Sequence, residues 1–230
     1  MLIKMVKKRT FLILSSLIIL LIVYLFPTKK EDKTYIQNEN TDFSIVYLID
    51  QNNLLSRVSV VTKNTNIDNQ IKEITEYLTY GSNKKDYLSD GFKPVIPKGT
   101  KLLYFKIDDD LLTLNFSKKL LTITEKKEKK LISSLVYTYT SIDGINKITI
   151  YVEGNLLDRL PNSNEKIPQI IDKSYGINQI YNITDINGTT KTTIYYLSKY
   201  KDYYYYVPVT LINNDKSDKN RKKLSKFYWH

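Results

Sequence analysis

From residue 43 to residue 157 the apolar positions alternate between a strand-like and a helix-like period, which restricts the chain to a fold in which helices lie against a sheet. Residues 43–49 and 54–62 are β-branched, strand-like runs separated by Asp50-Gln51-Asn52-Asn53, so an opening hairpin is expected. Asn64 and Asn66 offer capping groups ahead of Ile67, Ile71, Ile74 and Leu78, which share one face of a helix ending at Gly81. A polar loop follows to Thr100. Residues 101–107 and 111–116 predict a second hairpin around Asp108-Asp109-Asp110. Thr122 and Glu125 fit a capping box for a second helix bearing Leu131, Ile132, Leu135, Val136, Tyr139 and Ile142 and stopping near Gly144. Residues 147–153 alternate as a fifth strand that turns at Gly154-Asn155. The expected fold class is α+β, a two-layer sandwich in ββαββαβ order, and a region of about 115 residues buries a sizeable core without cross-links.

The N-terminus imposes a second constraint. Lys4, Lys7, Lys8 and Arg9 precede an apolar run over residues 11–26, interrupted only by Ser15 and Ser16, and Pro27 and Thr28 lead into Lys29 and Lys30. At 1.5 Å per residue the run makes roughly 24 Å of helix, and Thr10 with snorkelling lysines extends it toward the hydrocarbon thickness of about 30 Å. A cleaved leader wants small residues after its apolar stretch. Here Pro-Thr-Lys-Lys-Glu-Asp-Lys follows instead. The expectation is a cytoplasmic basic flank at 1–10, an uncleaved transmembrane anchor at 11–27 and a polar tether at 28–42. The protein is then a single-pass protein of the cell membrane with its C-terminal domain outside.

Composition excludes most chemistry. Cysteine is absent and the one histidine is His230, the last residue. Disulfides, thiolate metal sites and cysteine-linked lipid are ruled out, and a Ser/His/Asp triad or a histidine-bound zinc would have to use the final residue of the chain. The carboxylates at 108–110 lack the spaced ligands and central glycine of a calcium loop and read as a solvated turn. No catalytic, cofactor-binding or metal-ligating residue is assigned, and neither enzyme activity nor a cofactor is expected. The net charge of +11 would suggest nucleic acid or an anionic surface. Alanine is absent, however, arginine occurs only at positions 9, 57, 159 and 221, and tyrosine occurs 20 times, a pattern of AT-rich coding. Residues 43–161 carry 17 basic against 14 acidic groups. No nucleic-acid partner is expected.

The tail contains a repeat. Residues 44–48 align with 193–197 at an offset of 149, which also sets Val58-Ser59-Val60-Val61 beside Val207-Pro208-Val209-Thr210. Pro208 suits an edge strand, and alternation places Tyr203 and Tyr205 on one face and Tyr204 and Tyr206 on the other. Arg221-Lys222-Lys223 reads as part of a solvated tail, and the Asn-X-Ser/Thr triplets at Asn115, Asn182 and Asn187 as chance matches.

Several motifs resemble the GerMN domain of sporulation and spore germination proteins. The helix ending Leu78-Thr79-Tyr80-Gly81-Ser82, followed by Gly91-Phe92-Lys93-Pro94-Val95-Ile96-Pro97-Lys98-Gly99-Thr100, resembles the "saIPxGT" element. Leu112-Thr113-Leu114-Asn115-Phe116-Ser117-Lys118 resembles "tvdlSkef", Val136-Tyr137-Thr138-Tyr139-Thr140 resembles "vyTLte", and Val152-Glu153-Gly154 resembles "vdG". Tyr175-Gly176-Ile177-Asn178 resembles the junction to a second GerMN domain. The resemblance implies a GerMN domain at 43–177 similar to ring-building-motif domains, and an incomplete second repeat with a polar tail at 178–230, whether naturally truncated or frameshifted. It implies no catalysis, since Gly91, Pro97 and Gly99 shape a loop and Thr138 and Gly154 sit at a helix and a turn. The function it implies is that of a membrane-anchored envelope protein acting in sporulation and germination by assembly or docking, as a homo-oligomer or a ring with other envelope proteins. The alternative is an extracytoplasmic ligand-binding module contacting peptidoglycan or a membrane sensor.

Overall fold

Strand β1 (Thr41–Ile49) pairs antiparallel with β2 (Leu55–Lys63) from Thr41–Lys63 down to Ile49–Leu55. The turn between them is tied by one side chain: Asp50 Oδ1 accepts the N–H groups of Asn52 and Leu54, both at 2.9 Å. This computed structural model describes residues 41–63, 66–183 and 188–214. The expected membrane anchor, the tether up to residue 40, Asn64 and the basic tail lie outside them. No helix among the described residues is long and apolar enough to cross a membrane.

Helix α1 (Ile67–Leu78) starts where Asn66 Oδ1 accepts the Asn69 N–H at 2.8 Å, and it buries Ile71, Ile74 and Leu78 against β1 and β2. Its end explains the first family-like motif. Leu78 O accepts the N–H groups of Val95 and Ile96 at 3.1 and 2.8 Å, and Tyr80 N–H donates to Ile96 O at 2.9 Å. The Val95-Ile96-Pro97 segment thus supplies partners to the last turn of α1, whose carbonyls and following amide have none within the helix.

Strands β3 (Leu102–Asp108) and β4 (Leu111–Phe116) are antiparallel. Helix α2 (Glu125–Tyr139) then crosses over to β5 (Lys147–Val152), which runs parallel to β4 and turns into the short β6 (Asn155–Leu156). The helix boundaries differ from the expected ones. A 3-10 turn at Lys118–Thr122 leaves the Thr122 hydroxyl donating to Lys119 O, so Thr124 rather than Thr122 is the N-cap residue. At the other end Thr140 and Ser141 back-bond to Val136 O and Tyr137 O at 2.6 and 2.7 Å, and the helix stops at Tyr139, five residues before Gly144.

The chain builds two sheets rather than one. Strands β7 (Ile180–Asn182), β8 (Thr190–Tyr200) and β9 (Tyr203–Asn213) join the first hairpin in the order β1-β2-β9-β7, with β8 on the other side of β9, while β3-β4-β5-β6 form the second sheet. The reason lies in the edges of the first hairpin. Ser134 Oγ donates to Tyr47 O at 2.6 Å and Tyr47 N–H donates to Thr138 Oγ1 at 3.0 Å, so α2 closes the outer edge of β1. β2 pairs with β9 at Arg57–Tyr206. Neither edge is left for β3 or β5. The result is a mixed, sheet-dominated α+β fold with two α-helices among the described residues, and its core runs from Val46, Leu48 and Ile74 through Leu135 and Ile148 to Val207 and Val209.

Candidate functional site

The β8–β9 ribbon carries five exposed large apolar side chains, Tyr195, Leu197, Tyr203, Tyr204 and Tyr206. A two-residue turn, Lys201-Asp202, with Lys201 at φ +52°, pairs Tyr200 with Tyr203 and sets the register out to Thr190–Asn213. The ungapped repeat alignment would place Tyr195 opposite Val207. Tyr195 instead faces Pro208, because a two-residue turn stands where the first hairpin has five residues between Ile49 and Leu55, and exchanging an odd connection for an even one moves the register by one.

Pro208 was expected on an edge, yet β9 is paired on both sides. Asn178 resolves this. Its Oδ1 accepts Leu55 N–H at 2.9 Å, and its Nδ2 donates to Leu55 O at 2.7 Å and to Pro208 O at 2.8 Å. The side-chain amide therefore acts as a one-residue strand between β2 and β9. A strand residue sends its N–H and C=O out of the same edge, so the N–H that Pro208 lacks would have met the Asn178 amide donor. Beside it, Ile177 O accepts Thr210 N–H at 2.8 Å and Ser133 Oγ donates to Gly176 O at 2.8 Å. The Tyr175-Gly176-Ile177-Asn178 segment is the seam that joins the tail to the first hairpin.

The tip of the ribbon is held by the loop after α1. The Phe92 ring meets Tyr205 edge-on at 4.9 Å and Tyr203 at 6.0 Å, and Tyr205 Oη donates to Asp50 Oδ2 at 3.2 Å. A Cβ on Gly91 would lie 2.6 Å from the Tyr200 ring. Gly91 is thus required by close approach, whereas Gly99, at φ +80° with open space around it, serves the loop path expected of both. Gly91→Ala is expected to cost about 1–2 kcal/mol in urea unfolding, and the cost should shrink in a Tyr200→Ala background if the ring is the cause.

One face of the ribbon is covered, and the other is open only toward the turn, since Pro208, Thr210 and Ile212 on that same face are buried. Tyr205, Val207, Val209 and Leu211 point into the core, and Tyr195, Leu197, Tyr204 and Tyr206 are each at least half exposed on the opposite face, with Lys199 Nζ 5.1 Å from the Tyr204 ring centroid. The expected alternation of Tyr203 to Tyr206 is present.

Two buried carboxylates, Asp50 and Glu128, belong to the frame. Glu128, in the first turn of α2, accepts from Asn162 Nδ2 at 2.7 Å and from Ser163 N–H and Oγ at 3.1 and 2.8 Å, and also from Asn162 N–H. Burial raises its pKa, but these donors together outweigh it and hold the carboxyl below its ordinary value. A depressed folded pKa stabilises above the unfolded value of about 4.3 and loses that contribution as pH falls through the folded pKa. Stability measured from pH 7 to pH 2 is expected to drop in that acidic window, and the Glu128→Gln variant to be weaker at neutral pH with a shallower acid limb.

Asp108-Asp109-Asp110 forms the expected turn, with Asp109 at φ +53° and Asp110 paired to Lys147 at 3.2 Å. No group of three or more metal-ligating side chains occurs among the described residues. A cleft of about 620 Å³ brings together the motif segments at Tyr80-Gly81-Ser82 and Gly99-Thr100 beside Lys72 and Glu76 of α1. Its lining offers no nucleophile paired with a base.

The family described as "Germane: Sporulation and spore germination" matches residues 45–158. The structure is similar to the tandem GerMN domains of the sporulation protein GerM from Bacillus subtilis, with a TM-score of 0.71 and 26% identity over 78% of this chain and 64% of that one. Residues 45–158 belong to the GerMN family. In sequence the chain is 28% identical to the spore germination protein GerM of Bacillus subtilis over 185 residues, 79% of this chain, and it spans half the length of that relative. The fold is also similar to the first GerMN domain of the same protein, with a TM-score of 0.52 and 23% identity over 58% of this chain and 98% of that one. The GerMN motifs thus fall on identifiable parts: the end of α1, the Thr138 hydroxyl of α2 that meets β1, the turn after β5 and the seam at Asn178.

Proposed function

We propose that this chain is a membrane-anchored, non-enzymatic envelope protein that acts in sporulation and spore germination through contacts made by its GerMN domain. The observation that carries the reading is the likeness to the tandem GerMN domains of a sporulation protein over 78% of the chain. The basic-flanked apolar run at 11–27 supplies the anchor. Residues 43–177 are the GerMN domain, a ring-building-type ββαββαβ unit that assembles with copies of itself or docks to other envelope proteins. Residues 178–230 begin a second repeat. In support, 58% of the chain matches nearly all of a first GerMN domain and 78% matches the tandem. Deleting the gene is expected to lower the yield of heat-resistant spores or their germination, with rescue by the full chain and none by a chain lacking residues 1–27. Normal sporulation and germination in the deletion strain would overturn the proposal.

The open aromatic face favours a second reading, in which Tyr195, Tyr204 and Tyr206 stack on wall glycan. Co-sedimentation with purified peptidoglycan at physiological salt would support it, and a soluble chain that instead forms higher-order oligomers would favour assembly.

A further inference from the structure

We propose that the outer edge of β8 receives an extended acidic segment of a partner protein as an added strand. The inference deepens the contact reading above and rests on it only for the existence of a partner. β8 is eleven residues long, and it is paired along one side by β9 over its whole length while the other side pairs with no strand among the described residues. The equivalent edge of β1 is closed by the hydroxyls of Ser134 and Thr138. The direction of the free groups follows from Pro208. Because its carbonyl is turned to Asn178, Tyr195–Pro208 is a non-hydrogen-bonded pair of the ribbon, so the N–H and C=O groups of Tyr195 and its alternate neighbours Thr193 and Leu197 leave from the open edge. Gln51 Nε2, reaching Lys199 O at 3.4 Å, lies on that same side.

The charges on this edge select the occupant. Lys191 and Lys199 are exposed at the second and tenth positions of β8, on the side of the strand that carries Tyr195 and Leu197. Lys191 Nζ donates to Ser174 O at 3.0 Å, and Lys199 lies over Tyr204. A second copy added in register, in either direction, would set lysine against lysine at both positions, which destabilises a pair and is a common guard of exposed edges. A strand with carboxylates at those positions reverses both pairs to favourable ones. Apolar residues between them would cover Tyr195 and Leu197.

The test uses the full chain in detergent and two labelled eleven-residue peptides of alternating threonine and valine, one with glutamate and one with lysine at positions two and ten. By fluorescence anisotropy at about 50 mM salt the glutamate peptide is expected to bind about tenfold more tightly, with the difference fading near 0.5 M salt. The order should invert in the Lys191→Glu, Lys199→Glu double variant. Leu197→Pro, which removes an N–H from the open edge and none from the β9 ladder, should abolish binding of both. Equal binding of the two peptides, binding of neither, or an unchanged preference in the double variant would overturn the proposal. So would dimerisation of the chain through this edge, or competition between the glutamate peptide and wall glycan, which would assign the face to those occupants. None of these outcomes depends on the sporulation phenotype, so failure here is separable from failure of the contact role itself.

Discussion

Replacing Asp50 with alanine is expected to lower the free energy of unfolding by about 3 kcal/mol, and by distinctly less when asparagine is substituted. Asp50 is 3% exposed, and its carboxylate takes four donors: the N–H groups of Asn52 and Leu54 on one oxygen, and the hydroxyls of Ser56 at 3.0 Å and Tyr205 at 3.2 Å on the other. Each charge-assisted bond contributes about 1.5–3 kcal/mol in isolation. The turn amides regain water when the side chain is removed, so the sum is smaller than four such bonds. Asparagine keeps an acceptor for the two amides and offers its own N–H groups to the hydroxyls, which can turn to accept. Asp50 joins the first turn to β9, so the alanine variant should also loosen the ribbon. Urea unfolding of both variants checks the size, and near-ultraviolet circular dichroism of the tyrosines checks the loosening.

Asn178→Ala is expected to cost a further large amount, about 3 kcal/mol, for two separable reasons. It removes three hydrogen bonds and leaves the N–H and C=O of Leu55 and the C=O of Pro208 without their partner inside a sheet. It also places alanine at φ +46°, where asparagine is tolerated and alanine is strained. Asn178→Gly removes the strain and keeps the loss of bonds, so it should recover about 1 kcal/mol of the deficit. Full recovery in the glycine variant would mean that the amide bridge contributes nothing.

Much of this fold was legible locally. The hairpin around Asp50-Gln51-Asn52-Asn53, the Asn66 cap and the Ile71, Ile74, Leu78 stripe follow from turn chemistry and period, because the forces that set them act within a few residues. The ends of α2 were less legible. Whether Thr122 caps a helix or closes a 3-10 turn depends on how Lys118–Thr122 packs, which a Thr-x-x-Glu pattern does not encode. The number of sheets and the place of the tail were not legible at all. Both depend on long-range partners: Ser134 and Thr138 on the edge of β1, Arg57 opposite Tyr206, and Asn178 across β2 and β9. Gly91 showed the same limit, since its reason is a ring more than 100 residues away in sequence. The Gly-Ile-Asn sequence was visible as a family motif, and Pro208 in a strand of apolar alternation was a further signal that β9 meets something other than a continuous ladder on one side.

The surface follows the same division. Alternation along Tyr203 to Tyr206 assigns the tyrosines to two faces, but Tyr203, beside the turn, is exposed although it shares the face of the buried Tyr205. That the open ones continue across Leu197 and Tyr195 depends on a register set by a two-residue turn, one residue away from the repeat alignment.

The central structural claim is that the tail ribbon is built into the sheet of the GerMN domain and opens with it. Native-state amide hydrogen exchange on the full chain tests this directly. If the claim holds, the core-facing residues of β9, Val207 and Val209, exchange with the same opening free energy as Val58 and Val60 of β2, and Asn178→Ala lowers both together. Exchange of the β9 amides orders of magnitude faster than those of β2, unaffected by that substitution, would contradict it and leave the ribbon as an independent appendage.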